Sequence, residues 1–199
     1  MQNLDKNGLT EDEYIAKYDP SRYPHPALTA DLALLCGGEL LMIRRGGHPC
    51  LGMWALPGGF VNPDETVETA AARELAEETG VSGITPTLLG VFSRPGRDRR
   101  GWTASTLFGA RVELKPAAHA ADDARDARWF AIDGKREGEI LRITLVSGDV
   151  ILRAEVEAAA HISSFGCDWT LTTRASEGIA FDHAEMIALT LLRDVKYFH

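Results

Sequence analysis

At 199 residues the chain is long enough for one sizeable domain with its own buried core, and its apolar share of 45% and charged share of 25% are those of an ordinary soluble protein. A net charge of −8 speaks against a surface built for polyanions in general or for an anionic membrane. No charged-then-apolar leader opens the sequence and no run is long enough to span a bilayer. Cys36, Cys50 and Cys167 are too far apart for a zinc knuckle, so free thiols and a cytoplasmic location are expected.

In chain order, residues 1–26 read as a leading segment. Thr10 and Glu13 form a capping box that opens a short helix to about Tyr18, after which Pro20, Pro24 and Pro26 keep the chain extended. Ala27–Cys36 is apolar enough for a buried strand, Gly37-Gly38 is a hairpin turn, and Glu39–Arg44 is the return strand. Ile84–Ser93, Trp102–Leu114 and a short Arg128–Ile132 follow as strands, with Lys115–Arg125 as a loop. Ile140–Val146 and Val150–Val156 flank Ser147-Gly148-Asp149 as a second hairpin. Asp182–Lys196 is a terminal helix, with Asp182 and Glu185 as its capping box.

Between these lies the stretch around which the chain is organised, Gly58–Val81. Ala70, Ala71, Ala72 and Leu75 favour a helix that starts at Thr66 or Asn62 and stops at Gly80. On it Glu74, Glu77 and Glu78 fall at i, i+3 and i+4, so three carboxylates share one side of the cylinder. Stability alone disfavours this. Like charges repel at that spacing, and Glu77 and Glu78 sit where the helix dipole prefers cations. Several local rules broken together mark a functional site, and clustered carboxylates suit hard divalent cations such as Mg²⁺ or Mn²⁺.

Gly59, Glu65 and then Arg73-Glu74-Leu75-Ala76-Glu77-Glu78-Thr79-Gly80-Val81 resemble the Nudix box, G-x5-E-x7-R-E-U-x-E-E-x-G-U, at every fixed position. The resemblance covers roughly residues 27–133 and implies an α/β fold, an α/β/α sandwich with a mixed sheet. Residues 134–178 are then an atypical hairpin-containing insertion, residues 179–199 carry the C-terminal helix, and the whole is one domain. The resemblance further implies hydrolysis of a nucleoside diphosphate linked to another group. Glu74, Glu77 and Glu78 would be metal ligands with the Gly59 carbonyl, and Arg73 and Glu65 an ion pair that holds loop to helix. A pyrophosphate cannot approach three glutamates unaided, so Mg²⁺ or Mn²⁺ is the expected cofactor. A further carboxylate or general base is expected from Asp122 or Asp123, with Glu137 and Glu139 as competitors.

Ser93–Trp102 holds Arg94, Arg97, Arg99 and Arg100 within seven positions, a basic turn in an acidic chain, and arginine forks match phosphate oxygens. Its G-R-D-x-R-G pattern, with Asp98 inside it, resembles ADP-ribose-handling Nudix proteins, although those usually carry proline where this chain has Arg99. Arg94, Arg97, Asp98, Arg100 and Arg45 are therefore candidate substrate contacts. Trp54 is read either as a stacking surface for adenine or as core. Tyr18–Pro24 and Phe181-Asp182-His183-Ala184 look like the flanks of Nudix domains in regulators of NAD metabolism. No winged-helix domain is expected before the chain ends at His199, hence no nucleic-acid partner. The expected substrate is ADP-ribose or a related ADP-sugar. Another nucleoside diphosphate derivative and a non-catalytic ADP-ribose-binding module are the alternatives. A homodimer, formed partly by the leading segment and the 140–156 hairpin, is also expected.

Overall fold

The computed structural model describes residues 4–122, 124–164 and 166–194. Among them, ten strands join one mixed sheet whose main path runs β10-β9-β8-β7-β2-β1-β6-β5. The strands are β1 (Ala27–Cys36), β2 (Glu39–Arg45), β3 (Trp54–Ala55), β4 (Gly58–Phe60), β5 (Thr87–Phe92), β6 (Thr103–Val112), β7 (Ala124–Glu137), β8 (Ile140–Ser147), β9 (Val150–Ser163) and β10 (Gly166–Glu177). β1 and β6 are parallel across ten residue pairs, and the other pairs along the path are antiparallel. The short β3 and β4 pair with β2 and β1.

The alternation of side chains along each strand decides which helix each residue meets. Ala30, Leu32 and Leu34 of β1 face Ala70, Ala71 and Leu75 of α2 (Val67–Thr79). Ala33 and Leu35, one step out of phase, belong to the cluster that holds Ala184, Ile187, Ala188 and Leu191 of α3 (His183–Arg193). β1 is thus covered on both sides, which is why its sequence is a continuous apolar run rather than an alternating one. With α2 on one face and α3 on the other, the α/β/α sandwich is present. α3 packs against β5 as well as β9 and β10, so the two ends of the sheet wrap around it.

α2 begins at Thr66, whose hydroxyl accepts from the Thr69 N–H, and ends at Gly80 in the left-handed region (φ 72°). The capping box expected at the start of α3 does not form. Asp182 is the N-cap residue but gives no side-chain cap bond, because Arg97 takes its carboxylate, while Glu185 accepts from Thr173 and Arg94. The helix α1 (Glu11–Lys17) has its capping box and buries none of its side chains. The 134–178 segment is more than a hairpin: β7 runs nine residues beyond the expected start and end combined, and β8, β9 and β10 extend the sheet on that side. Leu141, Ile143, Leu145, Leu152, Ala154 and Val156 bury themselves in the α3 cluster, so the hairpin covers its own domain.

Candidate active site

β4 runs antiparallel to β1, with Gly58 opposite Asp31 and Gly59 opposite Ala30. Both glycines are needed for space. A Cβ on Gly58 would lie 2.5 Å from the Ala30 carbonyl oxygen and 2.7 Å from the Asp31 Cα; one on Gly59 would lie 2.4 Å from Glu74 Oε1. The backbone therefore lies directly against the carboxylates of α2, and the Gly58 N–H donates to Glu78 Oε2 at 2.9 Å.

Arg73 ties the loop to the helix. Its guanidinium donates to both Glu65 oxygens (3.0 and 2.6 Å), to Glu74 Oε1 and Glu77 Oε2 (2.8 Å each) and to the Phe60 carbonyl (3.0 Å). Those hydrogen bonds hold the Glu65 carboxyl down at about 2. Burial has the opposite effect on the other glutamates. The Glu78 carboxyl is pushed up to about 8 by loss of water, against the Gly58 N–H and with the charges of Glu74 and Asp31 adding to the rise. Glu74 is raised as well, first by burial, with Arg73 opposing and Glu77 and Asp122 reinforcing.

The three box glutamates line a cavity of about 440 Å³, the scale of a small-molecule site. Gly59, Arg73, Arg45, Arg97, Asp98, Arg100 and Asp122 line it too, so most of the residues singled out in the sequence come together. Asp122 sits there with a positive φ of 49°. Asp123 lies outside the described residues.

Others are placed elsewhere or are already engaged by a partner. Trp54 is 4% exposed and meets Phe130 edge-on at 4.8 Å, so it is core rather than a stacking surface. Arg94 lies beyond the cavity wall on Glu185 at 3.1 Å. Arg97 is buried, and its Nε and Nη2 are engaged by Asp182. Glu137 and Glu139 lie at the β7–β8 turn, where Glu137 pairs with Arg142, and neither lines the cavity.

Asp31, Phe60, Phe181 and His183 are among the lining residues that were not expected at the site. Asp31 accepts from the Ser105 hydroxyl, and its Oδ1 lies 3.8 Å from His183 Nε2. His183 Nδ1 accepts the Leu56 N–H at 3.0 Å, which places its proton on Nε2, and burial lowers its pKa and keeps it neutral. A lone acid inside the apolar run of β1 was the available signal for Asp31. For Phe181 and His183 it was the Phe181-Asp182-His183 stretch.

The carboxylates suit a hard divalent cation in kind: oxygen donors on one helix face, a glycine backbone laid against them, and a buried glutamate that forms no direct ion pair among the described residues. Among the described residues no three such side chains yet converge to metal-holding distance, since Arg73 draws Glu74 and Glu77 aside.

The family model described as NUDIX domain matches residues 26–139. Over 114 residues the chain is 44% identical to the ADP-ribose pyrophosphatase of Methanocaldococcus jannaschii; this covers 56% of the chain and 65% of that relative, less than two thirds of its length. Among solved structures, a MutT/nudix family protein from Enterococcus faecalis is 33% identical with a TM-score of 0.73, covering 93% of this chain and 69% of that one. A match that wide includes most of the 134–178 extension. The NUDIX domain of Shewanella oneidensis NrtR, solved in complex with ADP ribose, is 34% identical with a TM-score of 0.57, covering 61% of this chain and 82% of its own. With the box, the sandwich and these matches in agreement, the chain belongs to the Nudix family.

Proposed function

We propose that the protein hydrolyses the pyrophosphate bond of ADP-ribose or a related ADP-sugar. Water adds to one phosphorus, the bridging P–O bond breaks, and AMP and a sugar phosphate leave. The observation that carries this reading is a single cavity that joins the box carboxylates to an arginine- and phenylalanine-bearing wall. The choice of substrate is supported by the similarity to an ADP-ribose pyrophosphatase and to a Nudix domain solved with ADP ribose.

Glu74, Glu77 and Glu78, with the Gly59 carbonyl, would hold Mg²⁺ or Mn²⁺. A cation there offsets the repulsion between substrate and glutamates, acidifies water and stabilises charge on phosphoryl oxygens. The chain's own groups do the rest. Arg73 holds Glu65, the Phe60 carbonyl, Glu74 and Glu77 in one network, so loop and helix move together. The Gly58 N–H orients Glu78. Arg45 supplies positive charge on the side facing Glu78. Asp122, which lines the same cavity as Glu74, would take the proton of the attacking water.

We read residues 1–199 as one Nudix domain working in the cytoplasm on a small-molecule substrate, as a homodimer. The support for the dimer is the leading segment. Tyr14, Ile15, Tyr18 and Tyr23 are exposed and no residue of α1 is buried within its own chain, which leaves an apolar surface suited to a twofold-related copy. Light scattering that returned the 21.7 kDa of one chain, with and without Mg²⁺ and ADP-ribose, would refute the dimer.

The deciding experiment is a Mg²⁺-dependent screen of ADP-ribose, NADH, diadenosine polyphosphates and nucleoside triphosphates with product identification. AMP and ribose 5-phosphate from ADP-ribose are the expected products. Faster turnover of another substrate would replace the assignment. Tight ADP-ribose binding without turnover would favour a sensor.

A further inference from the structure

Among the described residues none of the 134–178 segment lines the cavity, yet the segment reaches the cavity's basic turn through one side chain. Its last strand, β10, pairs with β9 alone, and their register breaks between Thr173 and Ala175. Beside that break the Thr173 N–H donates to Glu185 Oε1 at 3.0 Å, and the Thr173 hydroxyl donates to the same oxygen at 3.1 Å. Glu185 stands in the first turn of α3 and is only 4% exposed.

From the other side Arg94 Nη2 donates to that oxygen at 3.1 Å. Arg94 opens the basic turn. The Arg97 N–H donates to the Arg94 carbonyl at 3.2 Å, and Asp98 then accepts both the N–H and the guanidinium of Arg100. Arg97, Asp98 and Arg100 line the cavity. Three donors thus meet on one buried carboxylate oxygen, two from the extension and one from the turn. Helix capping does not call for this, since a glutamate so placed would turn back to the N-cap N–H. Its charge matters most on the turn side, where a guanidinium–carboxylate bond is stronger than one between neutral groups. Arg94 is 54% exposed, so water can replace its partner and free the turn at that end. Asp182 still holds Arg97, which leaves the fold a second anchor.

We propose that Glu185 is a positioning residue: it ties the turn that forms the arginine-bearing wall of the cavity to β10, and so gives the 134–178 extension a part in setting substrate affinity. This rests on the reading of the cavity as a nucleotide-hydrolase site. Glu185 acts on Arg97 and Arg100 through Arg94 and touches no substrate itself.

The test joins hydrogen–deuterium exchange of the 93–102 backbone, measured without substrate, to ADP-ribose kinetics in Mg²⁺. The proteins are the wild type, Glu185→Gln, Arg94→Ala, Arg94→Lys and the Glu185→Gln/Arg94→Ala double variant, with thermal melts to confirm folding. Glutamine keeps an oxygen for the Thr173 N–H and removes the charge that holds Arg94. Glu185→Gln should speed exchange at 93–102 and raise KM for ADP-ribose, each at least about threefold, with kcat within about twofold of wild type. Arg94→Ala should match it, and the double variant should be no worse than either single one. Arg94→Lys should recover most of the loss, because only one Arg94 donor reaches Glu185. Unchanged exchange in Glu185→Gln, KM losses that multiply in the double variant, or a lower melting temperature with KM unmoved would each overturn the proposal. The two readings fail separately. Faster exchange in a protein that leaves ADP-ribose intact supports the tie and loses the proposed reaction. Turnover of ADP-ribose with exchange and KM indifferent to Glu185 does the reverse.

Discussion

Arg97 and Asp182 are joined by two hydrogen bonds, Nε to Oδ2 at 2.8 Å and Nη2 to Oδ1 at 2.7 Å, with both side chains only 6% exposed. The pair fastens the turn after β5 to the start of α3, across 85 residues of sequence. It also explains why Asp182 does not cap α3 with its side chain.

Breaking such a pair leaves a buried charge without its partner, so Arg97→Ala should cost about 3–5 kcal/mol in urea unfolding. Lysine keeps the charge but not the fork, so Arg97→Lys should recover only part of the loss. In Asp182→Ala/Arg97→Ala the costs should fall well short of additive. Additive losses would show that the two residues act independently.

The two glycines of β4 differ in what stands behind them. Behind Gly58 is backbone, the Ala30 carbonyl and the Asp31 Cα, which cannot step aside. Gly58→Ala should therefore lower the melting temperature by several degrees, as overpacking by about 1–3 kcal/mol would. Behind Gly59 is the movable end of Glu74. Gly59→Ala should fold with little loss of stability yet bind Mg²⁺ more weakly, because the carboxylate must turn away. Reversal of that order would contradict the geometry.

Trp54 tests whether burial or chemistry explains an aromatic next to the box. With its ring packed on Phe130, Trp54→Ala should cost about 3–5 kcal/mol in chemical unfolding. Trp54→Phe should leave the AMP affinity within about twofold of wild type. A large affinity loss in a stable Trp54→Phe would return the residue to the binding surface.

The parts of the fold read from sequence are those where one local signal suffices. β1 coincides with its apolar run because both of its faces are covered, and α2 follows its alanines, its Thr66 cap and Gly80. β10 was missed because Gly166–Glu177 offers only Trp169 and Leu171 as large apolar residues and alternates half-buried with exposed positions, a weak period-two signal for an edge strand. β7 outran its expected end since Asp133–Glu137 is charged and solvent-facing yet still paired with β8.

The same division holds at the site. Glu74, Glu77 and Glu78 announce themselves by spacing on one helix. Asp31, Phe60, Phe181 and His183 reach the cavity from β1, β4 and the start of α3, and only the folded chain brings them together. Arg97 illustrates the converse. Composition marked it as a phosphate grip, but its partner is an aspartate that no local pattern links to it.

The raised Glu78 carboxyl leads to a pH dependence of fixed sign. Its ordinary value is 4.5 and its folded value about 8, so between these the native state, free of metal, holds a proton that the unfolded chain has lost. The Glu78 contribution to metal-free stability should be greatest below about 4.5, fall as pH rises toward about 8 and then level off, at about 1.4 kcal/mol per pH unit. Glu74, raised in the same direction, adds to the slope. Mg²⁺ prefers the ionised carboxylate, so the stabilisation it confers should grow over the same window. Glu78→Gln keeps an oxygen for the Gly58 N–H and mimics the protonated acid. In EDTA it should fold and show a flatter decline with pH, gain little from Mg²⁺, and lose at least about 100-fold in turnover. Urea melts at several pH values, with EDTA or Mg²⁺, make the measurement. An identical slope in wild type and variant would remove Glu78 as its source, and near-normal Mg²⁺-dependent turnover would take it out of the reaction.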